Sequence, residues 1–184
     1  MHLLYTFFYL AIFSAIWHKF KGFNLAYFAF LILITIITNI PINQGLNIND
    51  FTYSILSKLS AFSFIISFVF IANKNNLFDY KTYAFVFVVN LLFFLTYLNI
   101  IPIKLYYADI SMGIICVCLL CIVAYFINIY LAFVYLLCLI IFVIHKDGNL
   151  FDYFFDVITL LITFFISIIC GIRKIISKNT RNKF

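Results

Sequence analysis

Polar and charged residues in this chain gather into short islands, and apolar runs near residues 3–17, 25–40, 55–72, 82–101, 110–127, 129–144 and 157–172 separate them. Each run has the length and character of a helix that crosses a bilayer core of about 30 Å. The uncharged stretch Ile110–Ile144 is too long for one ordinary span, so the pattern divides it at Asn128. The pattern predicts an all-α fold, a polytopic transmembrane helix bundle with seven spans.

Composition strengthens this reading. Of 184 residues, 67% are hydrophobic and 10% charged, far more apolar surface than a water-soluble domain of this size can cover. No polar stretch is long enough to fold outside the membrane, so the chain divides into a helical bundle over 1–172 and a basic tail over 173–184. The 26 Phe and 13 Tyr stand beside abundant Ile, Asn and Lys and only 5 Gly and 2 Pro, the bias of an AT-rich genome. The aromatics are therefore read as lipid-facing filler before any cofactor cage.

Charge sets the threading. The first apolar run has no cation before it and His18, Lys19 and Lys21 after it, the reverse of a cleaved signal peptide, so it is expected to remain and to place the N-terminus outside. Alternating spans then put Lys19, Lys21, Lys74, Lys81 and the tail cations Arg173, Lys174, Lys178, Arg181 and Lys183 on the cytoplasmic side. Only Lys58, Lys104 and Lys146 fall outside, together with Asp50, Asp109, Asp147, Asp152 and Asp156. The tail cations are expected to contact anionic lipid headgroups. Without a folded partner domain they make no nucleic-acid site. The fitting compartment is a bacterial inner membrane, with an organelle inner membrane as the alternative.

The pentapeptide NLFDY occurs at Asn76–Tyr80 and Asn149–Tyr153, each time ahead of an apolar run. Three spans lie between the copies, the spacing an inverted repeat would leave. Each letter also has its own use in starting a helix: Asn to leave the previous one, Leu-Phe to pack back, Asp to cap, Tyr for the headgroup belt. Upstream, FIANKNNLFDY and VIHKDGNLFDY share a helix end and a cationic loop, but downstream the similarity fades at once, so helix initiation is the preferred reading, with Asp79 and Asp152 as the caps.

Around the second copy, Gly148-x3-Asp152-x3-Asp156 is similar to the second half of the CDP-alcohol phosphotransferase signature, a family whose aspartates hold a divalent metal and a diphosphate substrate. The first half, D-x2-D-G-x2-A-R, has no counterpart upstream, where YLLCLIIFVIHK stands. No metal site and no cofactor are assigned. The five cysteines, Cys116, Cys118, Cys121, Cys138 and Cys170, lie inside spans and are read as small hydrophobes. His2 and His145 are the one histidine pair at matched depth, and both sit at the surface, where a haem would not.

Two polar stripes remain. Asp152, Asp156, Thr159, Thr163, Ser167 and Cys170 step by three or four residues and, on one continuous helix, share a face of the seventh span. This face serves either helix packing or the binding of a cation or polar solute. Ser57, Ser60, Ser63 and Ser67 make a small-residue packing surface on the third span, and Asn90 is the deepest costly polar group of the fourth. With no catalytic set visible, the expected role is an accessory, anchoring or assembly subunit of a membrane complex. The alternative is a small transporter or channel using the polar face of the last helix, and the third a lipid-modifying enzyme. Partners are the bilayer and either other membrane subunits or further copies of the chain.

Overall fold

The computed structural model describes residues 4–20, 24–42, 45–56, 58–72, 77–102, 106–107, 109–145 and 148–181. They are all-α: α1 (Leu4–Phe20), α2 (Leu25–Asn39), α3 (Ile48–Leu56), α4 (Ala61–Ala72), α5 (Tyr80–Tyr97), α6 (Ile110–Ile127), α7 (Ile129–His145) and α8 (Val157–Arg181), with a 3-10 turn at Leu150–Tyr153 between α7 and α8. By length and composition, α5 and α6 are long and apolar enough to cross a membrane, while α2, α7 and the first half of α8 are shorter apolar helices. The chain forms two compact units, Met1–Asn76 and Leu77–Phe184.

In the first unit α1 is the common neighbour, packed against α2, α3 and α4. Asn24 starts α2 by accepting the Tyr27 amide on its side-chain oxygen at 2.9 Å. Asn47 and Asp50 start α3 reciprocally: the Asp50 amide donates to Asn47 Oδ1 at 2.9 Å and the Asn47 amide to Asp50 Oδ2 at 3.0 Å. This capping box explains a helix that the apolar pattern passed over. The run expected from residue 55 is divided: its residues 55 and 56 end α3, and α4 begins at Ala61, where Ser60 Oγ accepts the Ser63 amide at 3.1 Å.

Buried polar groups of this unit find one another. Thr6 Oγ1 accepts from Asn39 Nδ2 at 3.0 Å and from Asn49 Nδ2 at 2.9 Å, and Asn49 Nδ2 also reaches Asn39 Oδ1 at 3.1 Å. Asn49 is fully buried, so this amide anchors the short α3 on α1 and α2. The Tyr27 hydroxyl donates to the Ile71 carbonyl at 2.9 Å and lies 2.9 Å from Ser14 Oγ, tying α2 to α4 and α1.

In the second unit α5 pairs with α8 and α6 with α7. Asn128 separates α6 from α7 as expected. It is extended (φ −159, ψ 121), its Oδ1 accepts the Tyr130 amide at 2.9 Å, and its Nδ2 donates to the Leu77 carbonyl at 3.0 Å. The 3-10 turn packs against α6 and α7, with Leu150, Phe151, Tyr153 and Phe154 buried. Phe151 lies 4.8 Å from Phe93 of α5, Phe154 5.9 Å from Tyr135 of α7 and Tyr153 5.4 Å from Phe142 of α7, ring centre to ring centre.

Gly113 of α6 lets this turn approach, since a Cβ there would stand 3.0 Å from Leu150 Cδ2. Gly113→Ala should be close to neutral, the helix-propensity gain of about 1 kcal/mol offsetting the crowding of a movable Leu150 methyl. Gly113→Val should cost about 1–3 kcal/mol by overpacking, and Leu150→Ala about 2–5 kcal/mol by leaving a cavity. Thermal unfolding of the detergent-solubilised chain orders the three. A Gly113→Val protein as stable as the parent would mean that the turn does not sit against α6.

Candidate functional site

The residues expected to form one polar face on the last helix do not all share it. The helix starts only at Val157, and the carboxylate that caps it is Asp156, whose Oδ1 accepts the Thr159 amide at 2.6 Å. Asp152 lies one structural element earlier, in the 3-10 turn that Asn149 initiates by accepting the Phe151 amide at 3.0 Å. The physical reason is the sequence YFFD after Leu150-Phe151-Asp152. Burying Tyr153 and Phe154 against α7 breaks the helical path, and a second Asp then restarts it. Asp152 therefore leaves the stripe and is not the cap of α8, whereas Asp79 does cap α5, its Oδ1 accepting the Thr82 amide at 2.9 Å.

Asp152 has a different partner, one that the polar stripe gave no sign of. It accepts a hydrogen bond from the Tyr106 hydroxyl. Asn149 Nδ2 donates to the Tyr106 carbonyl at 2.8 Å, so the 3-10 turn holds Tyr106 by both ends. Tyr97 and Tyr107 pack edge-on against the Tyr106 ring at 5.0 and 5.1 Å. Only the density of Tyr at 97, 106 and 107 hinted at this cluster. Burial, and then the hydrogen bond to the Asp152 carboxylate, push the Tyr106 phenol above its ordinary range.

The remaining stripe faces inward. Thr159 and Thr163 are buried and Ser167 half-buried on α8. Thr163 satisfies its own hydroxyl by donating to the Thr159 carbonyl at 2.6 Å, the local bond that lets threonine sit in an apolar helix. Across the pair, Asn90 of α5 is 2% exposed and donates from Nδ2 to the Val86 carbonyl at 3.0 Å. Its Oδ1 and Ser167 Oγ are buried with no hydrogen-bond partner among the described residues.

The serine stripe belongs to α4, the helix packed on α1: Ser60 is its cap, and Ser63 and Ser67 are buried. Ser57 lies outside the described residues, as do Lys183 and the side chains of Arg173, Lys174, Lys178 and Arg181, although the backbone of 173–181 continues α8. Among the described residues no three His, Cys, Asp or Glu side chains converge as metal ligands would.

Backbone exchange at the Thr159 amide should rise several-fold in Asp156→Ala and stay unchanged in Asp152→Ala; the opposite order would restore Asp152 as the cap. Asp79→Leu should cost α5 about 1 kcal/mol, and Asp79→Asn much less. The Asp79 carboxyl is held below its ordinary value, first by the Thr82 hydroxyl. Its capping contribution is thus complete above the unfolded carboxylate range, about 3.9, and fades as pH falls through the lower folded value.

Tyr106 has the opposite sign. A phenol with a raised folded pKa stabilises fully below the unfolded value of about 10 and loses that contribution as pH rises through the folded value. Ultraviolet absorbance of the parent and of Tyr106→Phe should assign Tyr106 to a transition later than that of the exposed tyrosines. Asp152→Asn should bring that late transition down toward the rest, and an unchanged titration would remove the Asp152 contact.

No protein-family model, curated protein or solved structure matches this chain.

Proposed function

We propose that this chain is an integral membrane bundle crossing the bilayer seven times, with its N-terminus outside and its basic tail at the cytoplasmic face, and that it serves as an accessory, anchoring or assembly subunit of a membrane complex. The observation that carries the reading is the surface of α6. Ile110, Met112, Ile115, Leu119, Ile122 and Phe126 each expose more than half of their area, and only 17% of α6 is buried. Water does not tolerate an apolar surface of that extent on a stable fold; lipid or another membrane protein does. α2 repeats the pattern through Leu25, Phe28, Ile32 and Ile36.

Helix length meets the bilayer core at α5 and α6 and falls short of it at α2 and most at α4, whose 12 residues rise about 18 Å. The 15 residues of α2 rise about 22 Å against a core of about 30 Å, and local thinning of the bilayer closes the gap at modest cost. The charge asymmetry of the loops supports the orientation. A subunit role fits helices whose buried polar groups mostly bond to their own backbone or to one another, which makes a scaffold. The small-channel reading draws on one observation, the two partnerless oxygens between α5 and α8.

Extraction in a mild detergent followed by mass determination of the intact particle tests the role: stoichiometric foreign subunits are expected. A monomer or a symmetric ring of this chain alone would favour the channel. Reporter fusions at Gln44, Asn75, Asn128 and Asn179 test the threading, with Gln44 expected outside and Asn75, Asn128 and Asn179 inside. A signal from outside at Asn179 would reverse the orientation.

A further inference from the structure

α5 and α8 run antiparallel, because Phe93 stacks on Phe155 at 4.1 Å and Phe87 meets Phe164 at 5.5 Å. Asn90 lies three residues from each phenylalanine on α5, about 60° around the helix from either. Its side chain therefore leaves α5 between two rings that both touch the α8 side. The bond from Nδ2 to the Val86 carbonyl draws the carboxamide back toward the N-terminal end of α5, to the depth of Phe87. Opposite Phe87 stands Phe164, and Ser167 is three residues beyond it, about 4.5 Å further along the axis. Register thus leaves the two partnerless oxygens, Asn90 Oδ1 and Ser167 Oγ, within about one helical turn of each other along the axis. Thr163 is buried one turn away on the same face of α8.

We propose that the α5–α8 interface is a binding site for one water molecule, held by Asn90 Oδ1, Ser167 Oγ and Thr163 Oγ1. The hydrogen-bond inventory selects this ligand. Asn90 Oδ1 can only accept, so the ligand must donate to it. Thr163 gives its proton to the Thr159 carbonyl and keeps lone pairs for a second donor. The Ser167 hydroxyl supplies a donor to the ligand. Two donations and one acceptance describe a buried water with its usual three bonds. A desolvated cation fits poorly: three neutral oxygens provide neither the coordination number nor the charge that oxygen-bound cations take. The nearest carboxylate on α8 is its cap Asp156, eleven residues and about 16 Å away along the axis. The site does not depend on whether the chain spans a bilayer.

Nuclear magnetic resonance of the full chain in nanodiscs, with nitrogen-15 in its asparagines, tests the site; the Asn90 carboxamide is identified by its loss in Asn90→Leu. Expected is cross-relaxation from the Asn90 carboxamide to water, with the sign of a molecule that stays bound longer than the protein tumbles. The signal should weaken in Ser167→Ala, which removes one of the three bonds that hold the water. It should vanish in Ser167→Leu, which fills the space. Absence of the signal in the unaltered chain overturns the proposal, and so does a signal of undiminished strength in Ser167→Ala. A saturable shift of the Asn90 resonance with sodium or potassium, absent with choline, would replace water by a cation. If Ser167→Leu fails to fold, the unaltered and Ser167→Ala chains still decide.

Discussion

Burial of the segment Leu150–Phe155 organises the second unit. Three of its rings reach Phe93 on α5 and Tyr135 and Phe142 on α7, and its leucine rests on the bare backbone at Gly113 of α6. A continuous α-helix could not aim these side chains in so many directions, because its apolar residues fall along one stripe. The 3-10 turn can, at the expense of backbone groups that then need other partners. Asn149 supplies one, and the Phe154 and Phe155 amides both return to the Phe151 carbonyl at 3.0 Å. The turn in its turn fixes where α8 starts, which carboxylate caps it, and which face it presents to α5.

The second constraint is the treatment of polar groups inside apolar helices. Thr35, Thr38, Thr96 and Thr163 each donate to a carbonyl three or four residues earlier, and Asn90 does so with one of its amide protons. Hydroxyls can be fully served in this way, having one proton to place. A carboxamide cannot, because its oxygen is left over. Asn39 and Asn49 solve the problem by meeting at Thr6, although Asn49 Oδ1 itself stays without a partner among the described residues. Asn90 bonds to no second amide among the described residues. Under the proposed membrane placement its leftover oxygen is harder to serve, since lipid offers no donor.

Much of the architecture was legible because apolar length and caps are local signals. Five of the seven apolar runs coincide closely with α1, α2, α5, α6 and α7, the last run starts with α8 but ends nine residues before it, and Asn128 divides the longest run because its extended backbone ends one helix while its side chain starts the next. α3 escaped notice because it is nine residues long and opens with the polar stretch NIND, whose capping box was the available clue. The candidate site was read less well. The stripe assumed one helix from Asp152 to Cys170, and the break at Phe154–Asp156 depends on what α6 and α7 offer the aromatic rings, which no local pattern encodes. Tyr106 escaped for the same reason, being 46 residues from Asp152 in sequence.

The two NLFDY copies bring these points together. In the first, Asp79 caps α5 and Tyr80 is its first residue, with Thr82 bonding the carboxylate through both amide and hydroxyl. In the second, the same letters form a 3-10 turn, Asp152 turns to a tyrosine, and the helix waits for Asp156. The five residues are identical, so the difference lies in what comes next. Lys-Thr-Tyr gives the first Asp a second donor at Thr82, whereas Phe-Phe-Asp gives the second copy two rings to bury and a later carboxylate to start from. An inverted repeat would require like surroundings around like sequence, and here the surroundings differ at the first residue beyond the match. A short segment rich in capping letters thus sets where a helix is able to begin, and burial of the neighbouring aromatics decides whether it does.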